Sequence, residues 1–428
     1  MSMKVAIIGA GFGGLATAYF LSKQGVNVVV FESGNKPGGL AVGFKKSAWK
    51  WSLEEHYHHI FTTDSYILNL AREVDQKMIF SSPKASTFFE DGTYQVDSPL
   101  TLLKFSKLSL FDRLRTGAVI AFLKLNPFWR PLERLTAEKF IKYTMGNVSW
   151  NILWRPLFLK KFGVFEKEVN AAWFWARIKK RTMKLGYPAG GFLEFAKKIE
   201  KKIVSRGGKI IYKTEVTLIE QEGGKFIIHA KDKKDTFDKV VCTLSAKQFA
   251  SIVKGLPKEY LNKISGFKGL GTINLVLLLK NNFLDDGSYW LNVNEVSYPF
   301  LAVIEHTNFI DKSEYNNSHL LYVANYLLPS HKYFELTKKQ LFDLYFPYLK
   351  KISSRFSKND VKEIFVFKSR FTQPVVFQNH SQRVPSFTTA LEDLYLCNMQ
   401  QVYPWDRGTN YAVENAQKVS DLVLKSKQ

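Results

Sequence analysis

Gly9-Ala10-Gly11-Phe12-Gly13-Gly14 is followed, eighteen residues after its last glycine, by Glu32. These residue types at this spacing suit an adenine dinucleotide. Gly9 permits a tight turn, Gly11 lets the backbone approach a pyrophosphate, and Gly14 lets a helix pack close to a strand. The helix N-terminus then favours the phosphates, and Glu32 accepts the ribose hydroxyls. The acid sits near the roughly 20-residue spacing of the motif. Gly38-Gly39 also lacks Cβ atoms, so a polyanion can come close to its amides. Two further clusters carry groups that move protons. Glu54-Glu55-His56-Tyr57-His58-His59-Ile60-Phe61 holds three of the eight histidines. His59, ahead of His58, is the candidate to hold or pass a proton near neutral pH. Tyr298 to Phe309 alternates like a strand and ends in a polar tip. If the strand continues, Glu305 and His306 face opposite sides, so only one faces a ligand, and Glu305 is taken as the candidate. Adjacent histidines on one turn rarely reach one ion without further ligands, so no metal site is expected.

The elements that position these groups are legible around them. Val5 to Ile8 is buried-strand material, Leu15 to Lys23 is helix-like, and Val28 to Phe31 is a second strand ending at Glu32. In mid-chain, Gly190-Gly191 precedes a helix from Leu193 to Ser205, which Gly207-Gly208 ends. Strand-like runs follow at Lys209–Tyr212, Val216–Ile219 and Phe226–His229, with a return strand from Phe237 to Cys242. Asp393 to Asn398 reads as a last buried strand. Gly408 to Leu424 reads as a helix with Tyr411, Val413, Ala416 and Val419 as its apolar stripe.

An acid, a short polar link and a second glycine pair resemble the extended FAD signature of the amine oxidase, phytoene desaturase and protoporphyrinogen oxidase superfamily. The resemblance covers both ends and the middle of the chain. It implies an α/β fold: a discontinuous Rossmann-like FAD domain of the glutathione-reductase type, over 1–80, 185–255 and 365–428. An inserted α+β substrate domain would fill 81–184 and 256–364. It implies FAD contacts from Gly9, Gly11, Phe12, Gly13, Gly14, Glu32, Ser33, Gly38, Gly39 and Leu40. Val216 would touch the adenine end through its backbone, and Asn398 and Tyr403 would lie towards the ribityl chain and ring. The usual Gly-Asp or Gly-Asn pair is Cys397-Asn398 here, so the glycine approach to the cofactor is lost at that point, and nothing marks either cysteine for a covalent flavin link. Tyr403 and Trp405 are candidates for one wall of an aromatic cage.

Two functions follow from the resemblance. The first is an FAD-dependent oxidoreductase that moves a hydride from an isoprenoid-like, tetrapyrrole-like or amine substrate to flavin, with His58, His59 and Glu305 as catalytic candidates. The alternative is a non-redox, flavin-dependent nucleotide-sugar mutase. His58 to Phe61, Ile304 to Phe309 and Asn398 to Val402 are similar to segments of UDP-galactopyranose mutase. Against it, Gly39-Leu40-Ala41 replaces the mutase continuation, and Arg370 is the only arginine offered for a diphosphate. A flavin-free scaffold would not need the intact glycine motifs.

Composition bounds the rest. A 428-residue chain can form two or three domains. Cys242 and Cys397 form no metal spacing or disulfide framework, which suits a reducing cytoplasm. Lys4 enters a strand at once, so no signal peptide is expected. Runs such as Ile273 to Leu279 fall far short of the roughly 18–20 residues that span a bilayer. The net charge is +23, yet no nucleic-acid motif accompanies it. Residues 100–165 carry twelve Lys/Arg against three acids, with Trp129, Trp150, Trp154 and many phenylalanines. Leu108 to Lys124 reads as a helix capped by Ser109, and its composition suits a helix lying on anionic lipid. The expected setting is the cytoplasm, with peripheral contact at the inner face of the membrane.

Overall fold

The computed structural model describes residues 3–231 and 233–425. Five parallel strands form the first sheet, in the order Lys209–Ile211, Asn27–Phe31, Lys4–Ile8, Lys239–Cys242, Leu394–Leu396. Their side chains are apolar on both faces because both faces are covered. Val5, Ile7, Val28 and Val30 pack towards the helices Phe12–Lys23, Phe192–Val204 and Thr409–Lys425. Ala6, Ile8, Val29 and Phe31 pack towards an antiparallel meander, Val216–Glu222, Lys225–Ala230 and Lys233–Phe237. The period of two along each strand thus divides one sheet between two cores. All five strands come from within 1–80, 185–255 and 365–428.

A seven-stranded sheet forms the second layer system. Its order is Val361–Pro374, Gly269–Leu279, His319–Leu327, Ala302–Glu305, Trp290–Val293, Ala85–Phe89, Gly92–Tyr94. Ile273, Leu275, Leu277 and Leu279 share a core with the helix Lys338–Ile352. Of the intervening positions, Val276 and Leu278 join the other large core, and Thr272 and Asn274 are polar and buried. The boundary expected at 365 falls inside a strand, Val361–Pro374, which pairs with Gly269–Leu279.

The chain from the strand Gly92–Tyr94 to the strand Leu185–Pro188 is mostly helical: Leu110–Leu125, Ala137–Met145, Arg155–Phe162 and Ala171–Lys180. Ser109 caps the first, its hydroxyl accepting from Asp112 N at 3.1 Å. Among the described residues no helix is long and apolar enough to cross a membrane.

Candidate active site

The glycine turn is built for close approach. Gly9 takes a φ of +103°, a conformation that strongly favours glycine. A Cβ on Gly14 would collide with the Gly9 carbonyl oxygen. Gly38 and Gly39 take φ values of +131° and +60°, and a Cβ on Gly39 would come within 2.8 Å of Gly11 Cα. The two glycine pairs therefore meet, and Gly11 and Gly38 form a parallel bridge. Gly11 caps the Phe12–Lys23 helix without any side-chain hydrogen bond, which leaves its N-terminal amides open to an anion. Phe12 itself is a core side chain, edge-on to Phe192 and Phe195. Gly13 runs beside Ala412 of the terminal helix.

Glu32 closes the far end of this cradle. Its carboxylate accepts from Ala10 N and Gly34 N, each at 2.7 Å, and the Ser33 hydroxyl lies 3.4 Å away. Lys213 N donates to Gly34 O at 2.8 Å and Thr214 N to Glu32 O at 2.9 Å. The segment leading to Val216 is thereby laid along Glu32–Gly34. A cradle that Cβ atoms would fill, with a carboxylate at its end, fits an adenine dinucleotide.

Leu40, next after Gly39, opens onto a small cavity of about 20 Å³ shared with His56, Tyr57, His58, Thr272, Asn274, Tyr326, Thr372 and Arg407. Thr272 and Asn274 are the two polar breaks in the apolar strand noted above. Asn274 Nδ2 donates to His56 Nδ1 at 2.6 Å, and His58 Nδ1 donates to His56 O at 2.6 Å. This pattern sets the tautomers: His56 offers an N–H from Nε2, and His58 offers a lone pair there. Burial pushes the His56 imidazole down to about 3 and the His58 imidazole down to about 4, so both are neutral at pH 7. Asn274 Oδ1 is buried without a hydrogen-bond partner, an unmet acceptor beside the cavity.

A charged group backs the cavity. Arg407 Nη2 donates to the Tyr326 hydroxyl at 2.6 Å and its Nε to Gln373 Oε1 at 3.1 Å. Lys161 Nζ is 3.2 Å from Asp406 Oδ2 and lies over the Tyr326 ring. Arg177 sits over Trp173. Burial alone would raise the Asp406 carboxyl, but Lys161, Arg407 and Arg177 hold it down to about 2. Three cations thus face one carboxylate.

The other candidates lie elsewhere. His59 borders Tyr289, Trp290 and Phe61 outside the cavity, and burial pushes its imidazole down to about 3. Glu305, the third catalytic candidate, lies outside the cavity and is tied to backbone amides. The strand Ala302–Glu305 stops there, and His306–Asn308 turns as a 3-10 helix. The fully buried carboxylate accepts from Phe283 N and Leu284 N and lies 3.3 Å from His319 Nδ1. Asn398 spends its side chain locally, its Oδ1 accepting from Gln400 N and its Nδ2 donating to Leu244 O. Tyr403 and Trp405 line a separate cavity of about 270 Å³ beside the terminal helix. The Tyr403 hydroxyl donates to Glu133 and accepts from Asn170, while Trp405 stacks between Trp175 and Tyr411. Arg370 reaches Glu335 and Pro329 O, away from both cavities. Sequence reasoning missed His56, Thr272, Asn274, Tyr326 and Arg407. The polar interruptions of an eleven-residue apolar strand were the available signal for two of them.

A sequence profile of the family described as flavin containing amine oxidoreductase matches residues 12–424. Coproporphyrinogen III oxidase of Staphylococcus aureus is 24% identical over 288 residues, covering 58% of this chain and 62% of that protein. The chain thus spans about three-fifths of that relative's length. Among solved structures, an oxidoreductase from Methanosarcina mazei superposes with a TM-score of 0.78 at 20% identity, covering 98% of this chain and 100% of that one. Reduced UDP-galactopyranose mutase superposes with a TM-score of 0.76 at 16% identity, covering 98% and 96%. At these identities the two structures share the fold.

Proposed function

The chain belongs to the flavin containing amine oxidoreductase family, and we propose that it holds FAD and oxidises an apolar substrate at a C–H bond. One observation carries this reading: Leu40, one residue past the glycine pair, walls the same cavity as His56, His58 and Arg407. The dinucleotide cradle and the groups able to handle protons are therefore adjacent. Bound flavin supplies the hydride acceptor, and oxygen or a quinone the final one. The chain supplies the rest. The glycine turns and Glu32 hold the adenosine diphosphate half. Neutral His58 can accept a proton at Nε2, and His56 can donate a hydrogen bond from its own Nε2. The apolar strand flanking Thr272 and Asn274 keeps water away.

The charges narrow the substrate. A protonated amine brought to this cavity meets Lys161, Arg177 and Arg407 against Asp406 alone. A neutral or acidic apolar substrate avoids that repulsion, and the tetrapyrrole in the name of the Staphylococcus relative is of that chemistry.

The test is anaerobic mixing of purified, flavin-loaded protein with coproporphyrinogen III, a polyisoprenoid and a primary amine in turn, with the released cofactor identified by chromatography. Bleaching of flavin absorbance by a non-amine, with FAD released, is the expected result. Colourless protein that takes up no added flavin overturns the reading. Turnover of UDP-galactopyranose by dithionite-reduced protein would replace it with the mutase function.

A further inference from the structure

The helix Leu110–Leu125 is apolar on two sides: Val119, Ile120 and Leu123 meet the core, and a second stripe does not. Only Thr116 and Leu123 are buried along its 16 residues. Phe111, Leu114, Phe122 and Leu125 are 70%, 55%, 56% and 80% exposed. With exposed Ala118 between them, they follow a spacing of three and four, so they form one apolar stripe down the solvent side of the helix. Phe128, 72% exposed, extends it past the C-terminus. Eleven of the seventeen exposed large apolar side chains of the described residues fall between Leu100 and Val148. A soluble monomer rarely leaves so continuous a patch uncovered.

The border of this stripe is basic. Lys104 stands exposed before the helix, Lys124 on its last turn, and Arg130 and Arg134 just beyond it. The acids of the region are engaged elsewhere. Asp112 accepts from the Ser109 hydroxyl, Glu133 is buried against Ser381 and Tyr403, and Glu138 pairs with Lys142. Lys104, Arg130 and Arg134 form no ion pair among the described residues.

We propose that the Leu110–Leu125 stripe and its basic border dock on an anionic lipid surface, with the helix lying in the plane of the interface. A helix about 24 Å long cannot span a bilayer, but it can bury one face in the headgroup boundary while its flanking cations meet lipid phosphates. A second copy of the chain is the competing occupant. A symmetric pairing along this stripe would set the two basic borders against each other, which costs energy. The stripe also lies one helix away from the larger cavity that Trp405 lines. Trp175 Nε1 donates to Asn126 O at 2.9 Å at the end of the helix, and Trp175 stacks on Trp405 at 5.1 Å.

The experiment is co-sedimentation of the flavin-loaded full chain with phosphatidylcholine vesicles, with and without phosphatidylglycerol, at low and high salt. Mass is measured in parallel without lipid. Binding only to the phosphatidylglycerol vesicles, weakened by salt, is expected. Joint substitution of Phe111→Ser, Leu114→Ser and Phe122→Ser should weaken it by at least about tenfold while flavin content stays unchanged. Should that variant lose flavin, Leu125→Ser alone and the pair Arg130→Glu and Arg134→Glu must each still weaken binding. No binding of the unmodified chain to anionic vesicles overturns the proposal. So does a lipid-free dimer that the serine variant converts to monomer, because a second copy then covers the stripe.

Discussion

Arg407 Nη2 donates to the Tyr326 hydroxyl at 2.6 Å, joining the residues ahead of the terminal helix to the centre of the seven-stranded sheet. Burial alone would raise the Tyr326 phenol. Arg407 and Lys161 outweigh burial and hold it below its ordinary 10. Tyr57, 3.3 Å away, is pushed up instead, first by burial and then by Tyr326. One tyrosine should therefore ionise early. Ultraviolet difference titration should show an early tyrosinate component in the native protein that is lost in Arg407→Met and in Tyr326→Phe. A signal that survives Tyr326→Phe belongs to another residue and refutes the assignment.

His56, His58 and His59 should stay neutral well into acid. Burial holds their imidazoles down to about 3, about 4 and about 3. An unfolded chain takes up these protons near 6.5, so the stability tied to them is present above 6.5 and falls as pH drops below it. Nitrogen-15 spectra of labelled histidine at pH 5, assigned through His58→Asn and His59→Asn, should show neutral rings. A His58 ring that titrates near 6.5 would mean that the cavity is open to water.

Glu54 reports the opposite sign. It is 1% exposed, accepts from the Tyr187 hydroxyl at 2.6 Å and from Phe192 N at 2.8 Å, and so anchors the start of the Phe192–Val204 helix. Burial raises its carboxyl from 4.5 to about 7. The folded protein keeps a proton there that the unfolded chain releases, so this contribution is full below 4.5 and is lost as pH rises through about 7. Urea unfolding of native protein and Glu54→Gln between those limits should give a stability difference that shrinks with pH, by at most about 1.4 kcal/mol per unit. Parallel curves would show that Glu54 is ionised throughout.

Glu305→Ala should cost stability before it costs chemistry. The side chain is fully buried and holds the Phe283 and Leu284 amides. Removing it leaves donors unmet at a cost of about 1–3 kcal/mol, more if His319 is charged. A lowered urea midpoint with unchanged flavin content and flavin-reduction rate is expected. A normal midpoint with a lost rate would make Glu305 a catalytic group.

The contrast between Glu32 and Glu305 shows what the sequence could carry. Glu32 is defined by near neighbours: a glycine turn, one helix and one strand place it, and those signals are local. Glu305 also ends a strand, but its meaning depends on the loop at Phe283 and on His319. That strand is central in a sheet whose members lie far apart in the chain. Thr272, Asn274, Tyr326 and Arg407 meet for the same reason. They come from two antiparallel strands and the terminal segment, and a register between distant strands leaves no mark on residue spacing. The helix Leu110–Leu125 was legible as a helix, with Ser109 as its cap. Which face it buries was not, because its apolar stripe could have met a core as easily as solvent.

Gly14→Ala separates packing from helix propensity in the cradle. A Cβ there would strike the Gly9 carbonyl oxygen, which sits on the same tight turn, so either the helix or the turn must move. Overpacking of this kind costs about 1–3 kcal/mol, and the shift would also spoil the approach of Gly11 to a pyrophosphate. At Gly117, inside the Leu110–Leu125 helix, a Cβ meets only Leu102 Cδ2 at an ordinary 3.7 Å. Gly117→Ala should therefore stabilise, by up to about 1 kcal/mol. Differential scanning calorimetry with flavin release as a second readout should show Gly14→Ala melting early and losing flavin. Gly117→Ala should melt at or above the native temperature with flavin retained. Equal behaviour of the two variants would show that the turn yields to a methyl group and that close packing at Gly14 is not what shapes the cradle.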